Sequence, residues 1–165
     1  DYGKKSQWES LYTDLSSNYR MSNITASIGI SHISEFKNFL KRRTEIAEVY
    51  TKKLSNEFKK IIPEKNSTSS WYKYVVILPD NIEKDLFKLK AKELGVGLSG
   101  GVYDIPLHLQ PVYEHLNLNG KLKNSEYVCK NHVCLPIYPS LKDEDVNKVI
   151  EILNKLVKDL KWVIL

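Results

Sequence analysis

The chain has 165 residues, 42% of them hydrophobic and 27% charged, with a formal net charge of +5. That profile fits one ordinary globular domain with a core of its own and excludes a disordered chain. Lysine is spread along most of the length rather than gathered into a nucleic-acid-binding arm, and no stretch approaches the ~20 apolar residues that span a bilayer. Cys129 and Cys134 make no disulfide framework, so a reducing cytoplasm is expected.

In chain order, residues 1–17 are polar with scattered Trp8, Leu11, Tyr12 and Leu15, and predict irregular structure. A helix is expected from about Ser22, whose hydroxyl can cap the first free amides. A break is expected at Ser34, then a second helix over 35–54, where Phe36, Phe39, Leu40, Ile46, Val49, Tyr50 and Leu54 form a one-sided stripe. Residues 66–70 read as a polar loop. WYKYVVILP (71–79) predicts a strand. Asp80 or Asn81 can cap a helix over 82–94, which Gly95 ends. A strand is expected over 96–103, with a close approach of backbone or ligand at its glycines. Short helix follows over 109–116, then helix over 124–132 and strand over 133–137. Ser140 with Asp143 resembles a capping box before a last helix over 141–161. The order predicts an α+β fold: a small, mostly antiparallel sheet with helices packed on one face.

Two stretches carry possible chemistry. In SSNYRMSNITASIGISHIS (16–34) no formal charge occurs from Met21 to Ser34 unless His32 is protonated. Ile24, Ile28, Ile30 and Ile33 spread around most of the helix, separated by Ala26, Ser27, Gly29 and Ser31. Such a helix is either central to its own domain or pressed against another body. Just ahead of it, Asn18 can donate from its amide and Arg20 can grip a carboxylate or phosphate, near a helix terminus that attracts anions. Spacing alone favours the plainer account, in which Asn18 shapes a turn and Arg20 pairs with an acidic neighbour. In GGVYDIPLHLQPVY (100–113), two glycines, Tyr103, a stiffening Pro106 and His108 suit a pocket-lining loop. Here too a rigid turn with a backbone-bonded histidine accounts for the local pattern. Cys129-x-x-His132-x-Cys134 offers three soft ligands with no fourth nearby, and no metal site is expected. His32 and His115 carry no evident role.

Together, NYRMSNITASIG and GVYDIPLHLQPVY resemble the DegT/DnrJ/StrS family of pyridoxal-phosphate-dependent sugar aminotransferases. RRTEIAEVYTKKL (42–54), SSWYKYVVILP (69–79) and LPIYPSLKDEDVNKVI (135–150) follow in the family's order and extend the resemblance over nearly the whole chain. What matches is the C-terminal part of such enzymes. The resemblance implies the small C-terminal domain (21–165) of an aspartate-aminotransferase-like fold, fold type I, with residues 1–20 as the junction to a large cofactor domain. It implies a homodimer, pyridoxal 5'-phosphate, and transfer of an amino group from an amino acid, glutamate for instance, to a nucleotide-linked keto sugar. The Schiff-base lysine is expected upstream of Asp1, because Lys4 and Lys5 sit in a polar stretch unlike the family's lysine motif. No catalytic residue is therefore assigned here, and the isolated chain is expected to be inactive. By position, Asn18 matches the asparagine that reaches the neighbouring subunit's cofactor phosphate, and Arg20 the arginine near the substrate anion or donor carboxylate. Tyr103 and His108 match residues lining the substrate side of the pocket. The chain departs at Val102, where many relatives carry His or Tyr. A stand-alone binding module that kept the fold and lost the chemistry is the competing expectation.

Overall fold

A computed structural model describes residues 19–98, 101–116 and 122–162. The chain divides into two compact units, 1–35 and 36–165, each described by itself. In the first unit, Ser22 Oγ accepts from the Thr25 amide at 3.2 Å, the cap expected at the start of helix α1 (Asn23–Lys53). The expected break at Ser34 does not occur. Ser34 Oγ turns back onto the Ser31 carbonyl at 2.8 Å, which a serine does within a helix at little cost. Met21, Ile24, Ile28, Ile30 and Ile33 are all more than half exposed.

The second unit holds a three-stranded antiparallel sheet of β1 (Lys59–Lys60), β2 (Tyr74–Ile77) and β3 (His132–Leu135), in that spatial order. Helices α2 (Lys84–Glu93), α3 (Lys123–Asn131) and α4 (Asp143–Trp162) complete it. Across the central pair, Tyr74 faces Leu135, Val75 faces Cys134, Val76 faces Val133 and Ile77 faces His132. Alternation sends successive side chains to opposite faces of the sheet. Tyr74, Val76, Val133 and Leu135 enter the core with Ile46 and Tyr50 of α1, Leu54 just after it, Phe87 and Ala91 of α2, and Val149, Leu153 and Val157 of α4. This agrees with an α+β fold carrying helices on one face. The reverse face bears Ile77, His132 and Cys134, also buried but outside that cluster.

Several boundaries differ from expectation. The strand predicted over 71–79 shortens to β2 because Trp71 adopts a left-handed backbone (φ 49°) that no strand accommodates. Arg43 holds that turn: its Nη1 donates to the Trp71 and Ile137 carbonyls, each at 2.9 Å. Strand β1 was not expected, since two lysines give no alternating pattern. No strand forms among the described residues of 96–103. Gly95 (φ 85°) closes α2 as expected, with its amide on the Lys92 carbonyl and the Val96 amide on Ala91. The start of α2 is capped by Glu83, not Asp80 or Asn81: its carboxylate accepts from the Asp85 and Leu86 amides, which makes Lys84 the first helical residue. The short helix expected over 109–116 takes the form of 3-10 helix at Pro111–Leu116, preceded by another 3-10 turn at Leu107–Leu109. Helix α4 begins at Asp143, two residues later than the Ser140–Asp143 pattern predicts. The Asp143 carboxylate accepts from Arg42 Nη2 at 2.7 Å instead of closing a capping box.

Candidate active-site loop

The second predicted site stretch folds as a loop against the reverse face of the sheet. Three polar contacts tie it down. The Val102 amide donates to His132 Nε2 at 2.8 Å, while His132 Nδ1 donates to the Val128 carbonyl at 2.6 Å. That pair of bonds fixes one neutral tautomer in a residue only 2% exposed. Asp104 Oδ1 accepts from Lys84 Nζ at 2.9 Å, and the same ammonium donates to the Cys129 carbonyl at 2.8 Å. His108 Nε2 lies 3.0 Å from Glu126 Oε1 on α3, with the imidazole 6% exposed.

Gly101 makes the first of these contacts possible. A Cβ there would stand 2.5 Å from His132 Nε2 and 2.9 Å from Asp104 Oδ1. The close approach anticipated for the glycine stretch is thus made by a histidine of β3. In the Cys129-x-x-His132-x-Cys134 stretch, both His132 ring nitrogens are engaged in hydrogen bonds. Among the described residues no group of three His, Cys, Asp or Glu side chains could hold a metal. Burial pushes both thiols above their ordinary pKa, which leaves them protonated and poor nucleophiles.

Between the first two ties stands Tyr103, 71% exposed. Its side chain and the inner edge of His108 open on a groove of about 950 Å³, whose walls include Ile105, Leu107, Tyr113, Leu122 and Val128. A large apolar groove with a phenol and an imidazole at its border can take a ring-bearing ligand and hydrogen-bond its hydroxyls. Tyr103 and His108 both line this groove. Arg20 belongs to the first unit, where it is exposed two residues before the cap of α1. Asn18 lies outside the described residues. Sequence reasoning did not single out Lys84 or Glu126. Neither is near the loop in the chain, and no local pattern marks them. His132 entered the sequence reading only within the Cys129-x-x-His132-x-Cys134 pattern; its place as the one polar residue of β3 is what marks a specific partner.

The Lys84 ammonium holds the Asp104 carboxyl below the ordinary aspartate range. Because the shift is downward, whatever stability it contributes is present above the ordinary aspartate pKa and is lost as pH falls through the lowered value. Asp104 is 58% exposed, so solvent screening keeps that contribution small. In a carboxyl-carbon NMR titration, Asp104 should titrate below an ordinary aspartate and move back up in Lys84→Met. An unmoved midpoint would contradict the pairing.

The model of the DegT/DnrJ/EryC1/StrS aminotransferase family matches residues 1–154. The chain belongs to that family. Protein MJ1066 of Methanocaldococcus jannaschii is 31% identical over 165 residues, which cover 96% of this chain and 42% of MJ1066. The GDP-perosamine synthase of Vibrio cholerae is 27% identical over 133 residues, 80% of this chain and 36% of that enzyme. Among solved structures, the aminotransferase TlmJ of Streptoalloteichus hindustanus superposes with a TM-score of 0.79 at 28% identity, covering 94% of this chain and 42% of TlmJ. This family member thus spans about two-fifths of the length of such relatives, while the groove-lining loop lies inside the matched region. No described helix is long and apolar enough to cross a membrane.

Proposed function

We propose that the chain is the C-terminal portion of a pyridoxal-phosphate-dependent aminotransferase that moves an amino group from an amino acid, glutamate for instance, to a nucleotide-linked keto sugar. The observation that carries this reading is the groove bordered by Tyr103 and His108, held open by a latched loop within a family of sugar aminotransferases. Relatives are named for GDP-, dTDP- and UDP-linked sugars, so a nucleotide sugar is the proposed substrate class and the base is left to assay.

The described residues fit an anionic cofactor in one respect. Arg20 stands beside the amino-terminal end of α1, where unpaired amides and the helix dipole favour a phosphate. In this reading Asn18 would bind the cofactor phosphate in a neighbouring subunit of a homodimer, and Arg20 would hold the donor carboxylate or the substrate anion. When bound, pyridoxal phosphate supplies the electron sink that stabilises a carbanion at the reacting carbon. Tyr103 and His108 would orient the sugar through its hydroxyls, and the apolar walls exclude water from it. The Lys84 ammonium is engaged by Asp104 and the Cys129 carbonyl, so it is not the amine that would hold the cofactor. That lysine is proposed to lie in a preceding large domain, against which the exposed isoleucines of α1 would pack, in a fold of aspartate-aminotransferase type acting in the cytoplasm.

The test joins this chain to its upstream sequence and offers glutamate with GDP-, dTDP- and UDP-linked keto sugars. Turnover with at least one sugar is expected, and none with the isolated 165 residues. Borohydride reduction that leaves a cofactor adduct on a lysine of this chain would overturn the placement of that lysine. Absence of amino transfer to every sugar would overturn the substrate class.

A further inference from the structure

A tyrosine that is 71% exposed, yet set in a loop fastened on both sides, calls for a physical reason. Exposed loops ordinarily leave their backbone to water. Here the residue before Tyr103 gives its amide to a buried histidine, and the residue after it gives its carboxylate to a lysine whose side chain is only 12% exposed. Both anchors converge on α3. Lys84 Nζ also holds the Cys129 carbonyl, and His132 Nδ1 also holds the Val128 carbonyl. Helix α3 carries Glu126 as well, the partner of His108, so both groove residues take their positions from the same helix. Burying most of a lysine ammonium is costly unless its partners are well placed. The lysine supports a phenol that itself faces solvent.

We propose that Lys84, Asp104 and His132 are positioning residues for Tyr103, fixing its hydroxyl where the sugar binds; this rests on the reading of the groove given above. Lys84 and Asp104 set the loop from one side through an ion pair. His132 sets it from the other through a neutral imidazole that accepts the Val102 amide. None of the three lines the groove itself. Their effect falls on the sugar alone, since Tyr103 borders the sugar groove, and an ångström of misplacement is enough to lower a rate by about a hundredfold.

The experiment uses the complete enzyme and measures its two halves separately: amino transfer from the donor, and amino transfer to the sugar. The variants are Tyr103→Phe, Lys84→Met, Asp104→Asn and Lys84→Arg, each with its thermal midpoint. Amide exchange at Val102 is measured alongside as a readout independent of turnover. Lys84→Met and Asp104→Asn should lower kcat/KM for the sugar half about tenfold or more and speed Val102 exchange. The donor half should stay within about twofold, and Lys84→Arg should restore most of the sugar half. If Tyr103→Phe impairs the sugar half while Lys84→Met and Asp104→Asn leave it unchanged, the positioning role is wrong and the groove reading stands. If Tyr103→Phe itself changes nothing, the groove reading fails and the positioning role with it. An equal fall in both halves, or a fall that tracks lost thermal stability across both variants, would reduce the latch to a structural role and overturn the inference.

Discussion

Truncating Phe87 to alanine is expected to cost about 3–5 kcal/mol of stability, the range for a fully buried aromatic removed from a core. Helix α2 has ten residues and only two buried ones, Phe87 and Ala91, so its attachment to the core depends heavily on that ring. The ring is 0% exposed and meets Phe58 edge-on, with centroids 6.0 Å apart at 76°. Helices this short are marginal without tertiary packing, and a domain of this size has only about 5–15 kcal/mol in total. Urea unfolding measures the loss, and a change under about 1 kcal/mol would show that α2 is held by something else. The effect should also reach the groove. Lys84 is the first residue of α2, so a loosened helix frees the loop that bears Tyr103.

Replacing Arg43 by methionine is expected to cost about 2–3 kcal/mol. Its guanidinium donates to carbonyls from two separate segments, Trp71 and Ile137, both partly buried and both at 2.9 Å. Hydrogen bonds to a charged donor are worth about 1.5–3 kcal/mol, and methionine leaves the carbonyls without that donor while preserving much of the stem's packing. A further change has two opposed parts, relief of backbone strain and loss of a ring contact. Trp71 is held in a left-handed conformation that costs a non-glycine residue about 1–2 kcal/mol, and its ring stacks on Tyr74 at 5.6 Å. Without Arg43 that turn is free to relax, and Tyr74 loses its cover. Arg43→Lys should recover only part of the stability, because one ammonium lacks the fork that spans two carbonyls. Equal urea midpoints for wild type and Arg43→Met would remove this account.

Much of the architecture was legible in the residues because it rests on local chemistry. Ser22 caps α1 and Gly95 closes α2. The aromatic and β-branched run around Tyr74 and the apolar stretch over 133–137 announced the two principal strands, the second one residue later than β3 begins. The failures have equally local causes. Ser34 suggested a break, but a hydroxyl can bond within a helix as readily as end one. Trp71 has high strand propensity, and only a guanidinium 28 residues upstream explains why it turns. The groove residues Tyr103 and His108 were legible as a pattern, but their supports were not. Lys84 lies 20 residues from Asp104, and His132 lies 30 from Val102, distances that no spacing rule spans.

The alternation of β3 carries a last consequence. His132 and Cys134 face the loop, while Val133 and Leu135 face the helices, in a strand of only four residues. Inserting one residue just before His132 would trade the two sets. An imidazole would then enter the hydrophobic interior and a valine would turn toward the loop, leaving the Val102 amide without its imidazole acceptor. The strand is thus a common wall with two tenants, and its phase is constrained twice over: once by the stability of the helical side, and once by the aim of a tyrosine on the other.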